Sequence, residues 1–400
     1  MTYSDWARED LQVERTADCS SGSPSYGRRS RLNPAAGLLC SQVSQFLPVA
    51  PNGRNDPAHS DSGEPATYPE MQTGGGESRL EIRNYLTSSY AEEIARDVRL
   101  GLSGGQKRIP SKYFYDERGS RLFEEICMLP EYYPTRTEMA ILQEYAGAIM
   151  EPFAGGDLVE MGSGANWKIC RLLDAAWQAD SRVIRYVPVD VSEAALRTAA
   201  VDLLRRYDGL SVLGIVADFT RDLGSIPDNT SKIVSLFGGT LGNFTGPEAE
   251  SLLGMVAGLM HPGDRFLLGL DMLKERAVLE AAYNDSRGVT AAFNRNILHV
   301  VNRELNAGFD PLLFDHVAFF NEDAEQIEMH LAAKQAMTVD IGLLDMAVEF
   351  REGETIHTEI SRKFSRESAM RLFERAGLAA ERWFTDDAGW FSLVELARND

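Results

Sequence analysis

An open α/β fold, with a mostly parallel sheet and a nucleotide-type pocket at the carboxyl ends of its strands, follows from three features of the chain. The first is the run L-V-E-M-G-S-G over residues 158–164, an apolar strand that passes straight into a glycine turn. The second is a series of further apolar runs, Arg185–Val189, Ser211–Val216, Ile233–Phe237 and Arg265–Leu270, each closed by acidic, polar or glycine residues. The third is a set of helix-start signals that place helices before and after those runs.

Residues 1–78 are rich in Ser, Gly, Pro, Asn and Arg, carry no apolar period and end near Gly74-Gly75-Gly76. They read as a disordered tail, with Met71 as an alternative natural start. Order begins near Leu80. Ser89 and Glu92 have the spacing of a capping box ahead of Ile94, Val98 and Leu102. Thr135 and Glu138 repeat that spacing ahead of Ile141, Leu142, Tyr145 and Ile149. In the glycine turn, Gly162 and Gly164 let the backbone bend sharply and approach a ligand, and a helix starting near Asn166 aims its first amides at the same place.

The turn reads G-S-G-A-N-W rather than G-x-G-x-x-G, which favours a mononucleotide-type binder such as an S-adenosylmethionine methyltransferase over a dinucleotide oxidoreductase. Asp190 closes the second strand where a carboxylate can accept from ribose hydroxyls. Asp218 and Phe219 close the third, where a methyltransferase places an acidic side chain by the adenine amino group and an apolar one by the ring. The fourth closes in G-G-T-L-G-N, residues 238–243. The expected architecture is a Rossmann-like class I methyltransferase sheet. Ser365 starts a late helix that stops at Gly377, and Arg382–Thr385 and Trp390–Leu396 form a hairpin around Asp386–Gly389.

Residues 272–363 break the alternation of strand and helix. Lys274–Tyr283 and Val289–Leu305 read as helices, the second stopping by Gly308, while Gln326–Val339 and Met346–Lys363 alternate like antiparallel strands. The expected division is therefore a methyltransferase domain over 79–271 plus 364–400, with a smaller α+β substrate-binding domain inserted at 272–363.

A formal net charge of −20 over 400 residues argues against a nucleic-acid or anionic-membrane surface and leaves small-molecule chemistry as the default. No apolar run is long enough to span a bilayer. The four cysteines, Cys19, Cys40, Cys127 and Cys170, lack paired or metal-like spacing, so a reducing, cytoplasmic setting is expected.

In the strand from Thr355, plain alternation puts His357, Glu359 and Ser361 on one face and Ile356, Thr358 and Ile360 on the other. A carboxylate and a hydroxyl two residues apart can engage both nitrogens of an imidazole. The same alternation also describes a solvated strand face.

Five longer strings carry a resemblance: K-Y-F-Y-D-E-R-G-S-R-L-F-E-E-I at 112–126, L-P-E-Y-Y-P-T-R-T-E at 129–138, F-G-G-T-L-G-N-F-T at 237–245, A-A-Y-N-D-S-R-G-V-T-A-A-F-N-R-N at 281–296 and T-E-I-S-R-K-F at 358–364. From about residue 83 to 398 the chain resembles the L-histidine Nα-methyltransferases of ergothioneine biosynthesis, which form hercynine. The resemblance implies three successive methyl transfers from S-adenosylmethionine to the α-amine of L-histidine, with no metal and no obligatory protein partner. It implies that Tyr132, Asn243 and Tyr283 hold the amino acid's α-amino and α-carboxylate groups, with Tyr115 and Phe123 beside them and Tyr115, Tyr132 and Asn243 closest to the chemistry. Glu359 and Ser361 would meet the imidazole, and Met329 would lie beside the ring. Gly162, Gly164, Lys168, Asp190, Asp218 and Phe219 would form the cofactor site, with Lys168 toward the cofactor's carboxylate. For this to hold, the aromatic and acidic stretch Phe114–Tyr133 would have to fold over the cofactor pocket as a lid. The long tail and the Phe237–Gly239 neighbourhood of the asparagine turn depart from the family pattern. Within the fold, tryptophan or an indole-derived amine is the alternative substrate. A binding protein without turnover is the alternative of a different class.

Overall fold

The computed structural model describes residues 79–86, 89–164, 166–178, 184–221 and 223–399. The tail expected to be disordered and the Met71 start lie outside them.

The main sheet has eight strands. In chain order they are β1 (Leu80–Asn84), β3 (Gly156–Met161), β4 (Ile184–Asp190), β5 (Ser211–Val216), β6 (Lys232–Leu236), β7 (Arg265–Asp271), β13 (Leu378–Thr385) and β14 (Phe391–Arg398). Their spatial order is β1-β5-β4-β3-β6-β7-β14-β13. All pairs from β1 to β7 are parallel, and the C-terminal hairpin adds β14 antiparallel to β7. The expected five-strand series is present, and β1 is an added edge strand that carries no strong apolar run.

Both faces of this sheet are covered, which is why its central strands are apolar throughout. Val159, Met161, Val187, Val189, Leu213 and Ile215 pack against α6 (Gly246–Leu259) and α9 (Arg366–Arg375). Leu158, Tyr186, Val212 and Ile233 face α3 (Tyr133–Met150), α4 (Trp167–Gln178) and α5 (Glu193–Arg206). Strand order reverses between β3 and β6, and ligands of open α/β sheets bind at such a switch point beyond the strands' carboxyl ends.

A second sheet has the order β2-β12-β9-β8, from Lys107–Arg108, Thr355–Arg362, Gln326–Ala333 and Phe314–Asn321. A separate hairpin pairs β10 (Met337–Ile341) with β11 (Met346–Phe350). Each long strand expected in 326–363 is therefore two, and β8 is additional. The core around this sheet joins residues of α7 (Arg276–Tyr283) and α8 (Val289–Leu305) with Ile94 and Val98 of α1 (Tyr90–Leu102), Ile126 of α2 (Glu117–Cys127), and Phe114 and Tyr133. Residues 94–133 thus share a core with the segment 279–356.

Two local expectations need correction. Ser89 does cap α1 in a capping box with Glu92, but α3 begins at Tyr133, two residues before Thr135. Pro134 suits that first turn because its missing N–H would be unpaired there, and Glu138 is wholly buried instead of serving a cap. In β12 the register shifts between His357 and Glu359: His357 lies opposite His330, Glu359 opposite Met329 and Ser361 opposite Ile327. This β-bulge at Thr358 puts His357 on the outer face, while Glu359 and Ser361 stand with Met329 and Ile327 on the inner one.

The 3₁₀ turn Thr240–Asn243 lies against β12 so closely that a Cβ on Gly242 would come within 2.7 Å of the Arg362 carbonyl oxygen. Gly242→Ala should therefore push the turn off the strand and cost about 1–3 kcal/mol. Urea unfolding checks this, and an unchanged midpoint would mean the turn yields freely.

Candidate active site

The loops after β3 and β6 flank the switch point. Gly162 and Gly164 have φ of +69° and +43°, so the turn after β3 needs glycine, and a Cβ at Gly162 would point at the Phe219 ring 3.5 Å away. Asp190 ends the neighbouring β4, where its carboxylate accepts from the Ser192 backbone N–H at 2.9 Å. Burial raises its pKa, opposed by the backbone N–H groups around it, including that of Gly164. Asp218 follows β5, accepting from Thr220 N–H at 3.0 Å and pairing with Arg221 at 3.1 Å. Four of the expected cofactor residues, Gly162, Gly164, Asp190 and Phe219, thus line one cradle, with Asp218 on its flank.

Lys168, on the first turn of α4, meets a carboxylate of the protein itself. Its Nζ lies 2.7 Å from Glu138, whose carboxylate also accepts from the Gly238 backbone N–H at 2.9 Å. Glu138 therefore ties the glycine-turn helix to the loop after β6. Sequence spacing hides this residue because it imitates a cap. The supporting signal is Gly269 in β7, where a Cβ would overlap the Glu138 carboxylate at 2.4 Å.

The expected substrate residues form one continuous wall. Ring centroids of Tyr115 and Phe123 are 5.6 Å apart, those of Phe123 and Tyr132 6.2 Å, and those of Tyr132 and Tyr283 6.3 Å. Phe293 of α8, absent from the sequence expectations, backs both Tyr115 and Phe123. Opposite the rings, Asn243 Nδ2 donates to Glu359 Oε1 at 3.2 Å and the Tyr283 hydroxyl donates to Ser361 Oγ at 2.8 Å. Met329 lies beside Glu359 across the strand pair. The stretch Phe114–Tyr133 contributes Tyr115, Phe123 and Tyr132 to this wall.

Burial shapes the electrostatics. It raises the pKa of the Tyr115, Tyr132 and Tyr283 hydroxyls, so all three are neutral at neutral pH. Burial also pushes Glu359 up to about 7, against the pull of Lys363. Lys363 is wholly buried beneath the pocket and bonds to Asp271.

Glu328, His330 and His357 bring metal-type ligand atoms within 4.8 Å of one another on the outer face of the second sheet. Their two imidazoles are stacked, 4.7 Å apart and inclined by 20°. The stack extends to Phe319 and reads as packing.

Residues 94–398 match the family model for histidine-specific, S-adenosylmethionine-dependent methyltransferases. The chain belongs to this family. It is 44% identical to a histidine N-alpha-methyltransferase of Mycolicibacterium smegmatis over 80% of this chain and 99% of that one. It is 42% identical to the Mycobacterium tuberculosis protein of the same name, over 80% and 100%. It is also 29% identical to ergothioneine biosynthesis protein 1 of Schizosaccharomyces pombe, over 67% of this chain and 36% of that longer protein. The glycine cradle and the strand-end carboxylate fit the family's cofactor.

The raised Glu359 pKa makes a stability prediction for the ligand-free protein. A raised carboxyl pKa favours the protonated folded state, so this contribution is fully present below about pH 4.5 and is lost as pH climbs through about 7. Glu359→Gln avoids that loss and should gain on the parent, on the order of 3 kcal/mol, between about pH 5 and pH 8. Urea unfolding at both pH values measures it, and a pH-independent difference would remove Glu359 as a titrating group.

Proposed function

We propose that the protein transfers methyl groups from S-adenosylmethionine to the α-amine of L-histidine, three in succession, giving the trimethylated betaine of ergothioneine biosynthesis. The observation that carries this reading is the convergence of Glu359, Ser361, Asn243 and Tyr283 on one aromatic-walled pocket beside the loop that bears Gly238. Family membership and the names of the relatives point the same way.

In this reading Glu359 and Ser361 hold the imidazole, with Met329 against the ring. Tyr132, Asn243 and Tyr283 hold the amino and carboxylate groups, and Tyr115 and Phe123 close the wall. Gly162, Gly164, Asp190, Asp218, Phe219 and Lys168 hold the cofactor, Lys168 being kept in place by Glu138. The unit over 272–363, with β9 and β12, serves as the substrate-binding part inserted into the methyltransferase domain of 79–271 plus 364–400.

S-adenosylmethionine supplies, when bound, a methyl group already activated on sulfur, so the chain needs alignment and a neutral amine more than a nucleophile of its own. Neutral tyrosine hydroxyls and the Asn243 amide suit that task. They orient the amine without a fixed anion that would hold it protonated. Gripping the substrate at both its ring and its carboxylate leaves the amine free to rotate between transfers. No described helix is long and apolar enough to cross a membrane.

Mass analysis after incubation with S-adenosylmethionine and each standard amino acid should show one, two and three added methyl groups on histidine alone. A product series that halts at one methyl with donor in excess would refute successive transfer. Two variants separate the sites. Glu359→Ala should weaken histidine binding by roughly 1.5–3 kcal/mol and spare the cofactor. Asp190→Ala should do the reverse, and calorimetry in which neither variant discriminates between the two ligands would dissolve both assignments.

A further inference from the structure

Lys363, the residue just after β12, is wholly buried, and the reading above gives it no part. Its Nζ lies 2.8 Å from Asp271 Oδ2, 2.8 Å from Ser361 Oγ and 3.1 Å from the Tyr283 hydroxyl. An ammonium has three protons, and these three acceptors take all of them. The two hydroxyls are also 2.8 Å from each other and share one proton. Tyr283 is the donor in that pair, so Ser361 keeps its own proton for a ligand, and Tyr283 meets the amino acid with its ring and not with its hydroxyl. Each oxygen has also spent acceptor capacity on Lys363. The pair can therefore offer a donor to a ligand far more readily than an acceptor. Glu359, two residues from Ser361 on the same inner face, is an acceptor when ionised.

We propose that Lys363 is a positioning residue that sets the hydrogen-bond polarity of the pocket's ring end, making the Ser361–Tyr283 pair a donor opposite the Glu359 acceptor. The pocket then selects a ring with one N–H and one bare nitrogen. Neutral imidazole fits, whereas imidazolium would set N–H against O–H at Ser361. An indole has an N–H but no bare ring nitrogen for the hydroxyl donor. The inference rests on the reading that Glu359 and Ser361 meet the substrate ring.

The charged and titratable groups around Lys363 come from four elements. Asp271 closes β7, Lys274 follows it, Tyr133 begins α3 and Tyr283 ends α7, while Glu359 lies on β12. Lys274 lies 2.5 Å from Asp271 Oδ1, so Asp271 keeps a cation when Lys363 is replaced.

The test uses ring-¹⁵N-labelled histidine bound to the full chain with S-adenosylhomocysteine, followed by NMR from about pH 5.5 to 8. With the parent protein, one ring nitrogen should stay protonated and the other bare down to about pH 5.5, below the ordinary imidazole pKa of about 6.5. In Lys363→Met the hydroxyls regain acceptor capacity, and the bound ring should protonate at least one pH unit higher, a tenfold change in proton affinity. Lys363→Arg should restore the parent behaviour. A doubly protonated ring in the parent at about pH 6.5 overturns the proposal, as does a Lys363→Met titration that overlays the parent. If Lys363→Met does not fold, the parent spectra alone decide. Unchanged histidine affinity in Glu359→Ala would mean that the substrate reading itself has failed. Weakened affinity there, with an unaltered Lys363→Met titration, would mean that only the Lys363 role has.

Discussion

The Thr358 hydroxyl shares its one proton between Asn294 Oδ1 at 2.7 Å and the Met329 carbonyl at 3.0 Å, and the bulge it occupies determines which side chains of β12 turn inward. Were β12 paired regularly, Thr358 would lie opposite Met329 and Glu359 would fall opposite Glu328, on the outer face with His357 and His330. With the bulge, Glu359 and Ser361 turn inward. Asn294 is itself fixed through its amide to His316 and the His330 carbonyl, so α8 and the second sheet lock the bulge between them. A carboxylate among tyrosines and phenylalanines is costly to bury, and only a backbone feature pinned this firmly keeps it there.

Asp271 plays the corresponding part for the join between the two sheets. It closes β7 of the main sheet, yet its carboxylate takes Lys363 from the end of β12, Lys274 from the following loop and the Tyr133 hydroxyl from α3. Burial opposes its charge, but the two ammonium groups more than offset this and hold its pKa below the ordinary range. The chain is also stitched there by backbone, with Phe364 N–H donating to Asp271 and Leu273 N–H donating to Phe364. Glu138 repeats the device on the cofactor side, spanning Lys168 and Gly238. In both places a buried carboxylate shared between elements fixes loops that must keep their positions relative to one another.

The parts of this arrangement legible in the sequence are those written in local pattern. Five buried strands, the glycine turn, Asp190 and the Ser89 cap each depend on a few adjacent residues, and each is found where the pattern puts it. Only the long strings of unusual composition singled out Tyr132, Asn243, Tyr283 and Glu359, which lie far apart in the chain and share no periodicity, and the structure brings them together. What spacing misreads are features decided by tertiary partners. Glu138 imitates a cap residue but is drawn inward by Lys168. The Thr358 bulge is invisible to alternation because its cause is Asn294, sixty-four positions away. Phe293 and Lys363 sit inside recognisable strings, yet nothing local tells packing or support apart from contact with a ligand.

The surface and the pocket are electrostatically separate. The formal charge of −20 is that of the whole chain, whereas in the interior of the site two carboxylates, Asp271 and Glu359, lie with two ammonium groups, Lys274 and Lys363. The set is neutral when Glu359 is ionised, and Glu359 titrates near 7, so a single proton changes its balance. The Tyr115 and Tyr132 hydroxyls, by contrast, are kept uncharged by burial. The proposed reaction, in which an amine repeatedly discharges protons beside a cationic methyl donor, calls for such an arrangement. A permanent anion at the amine would hold it in the unreactive ammonium form, while a permanent cation would repel both partners. In the proposed reading the ionised groups lie beneath the ring and neutral hydroxyls and an amide surround the amine, which answers both demands.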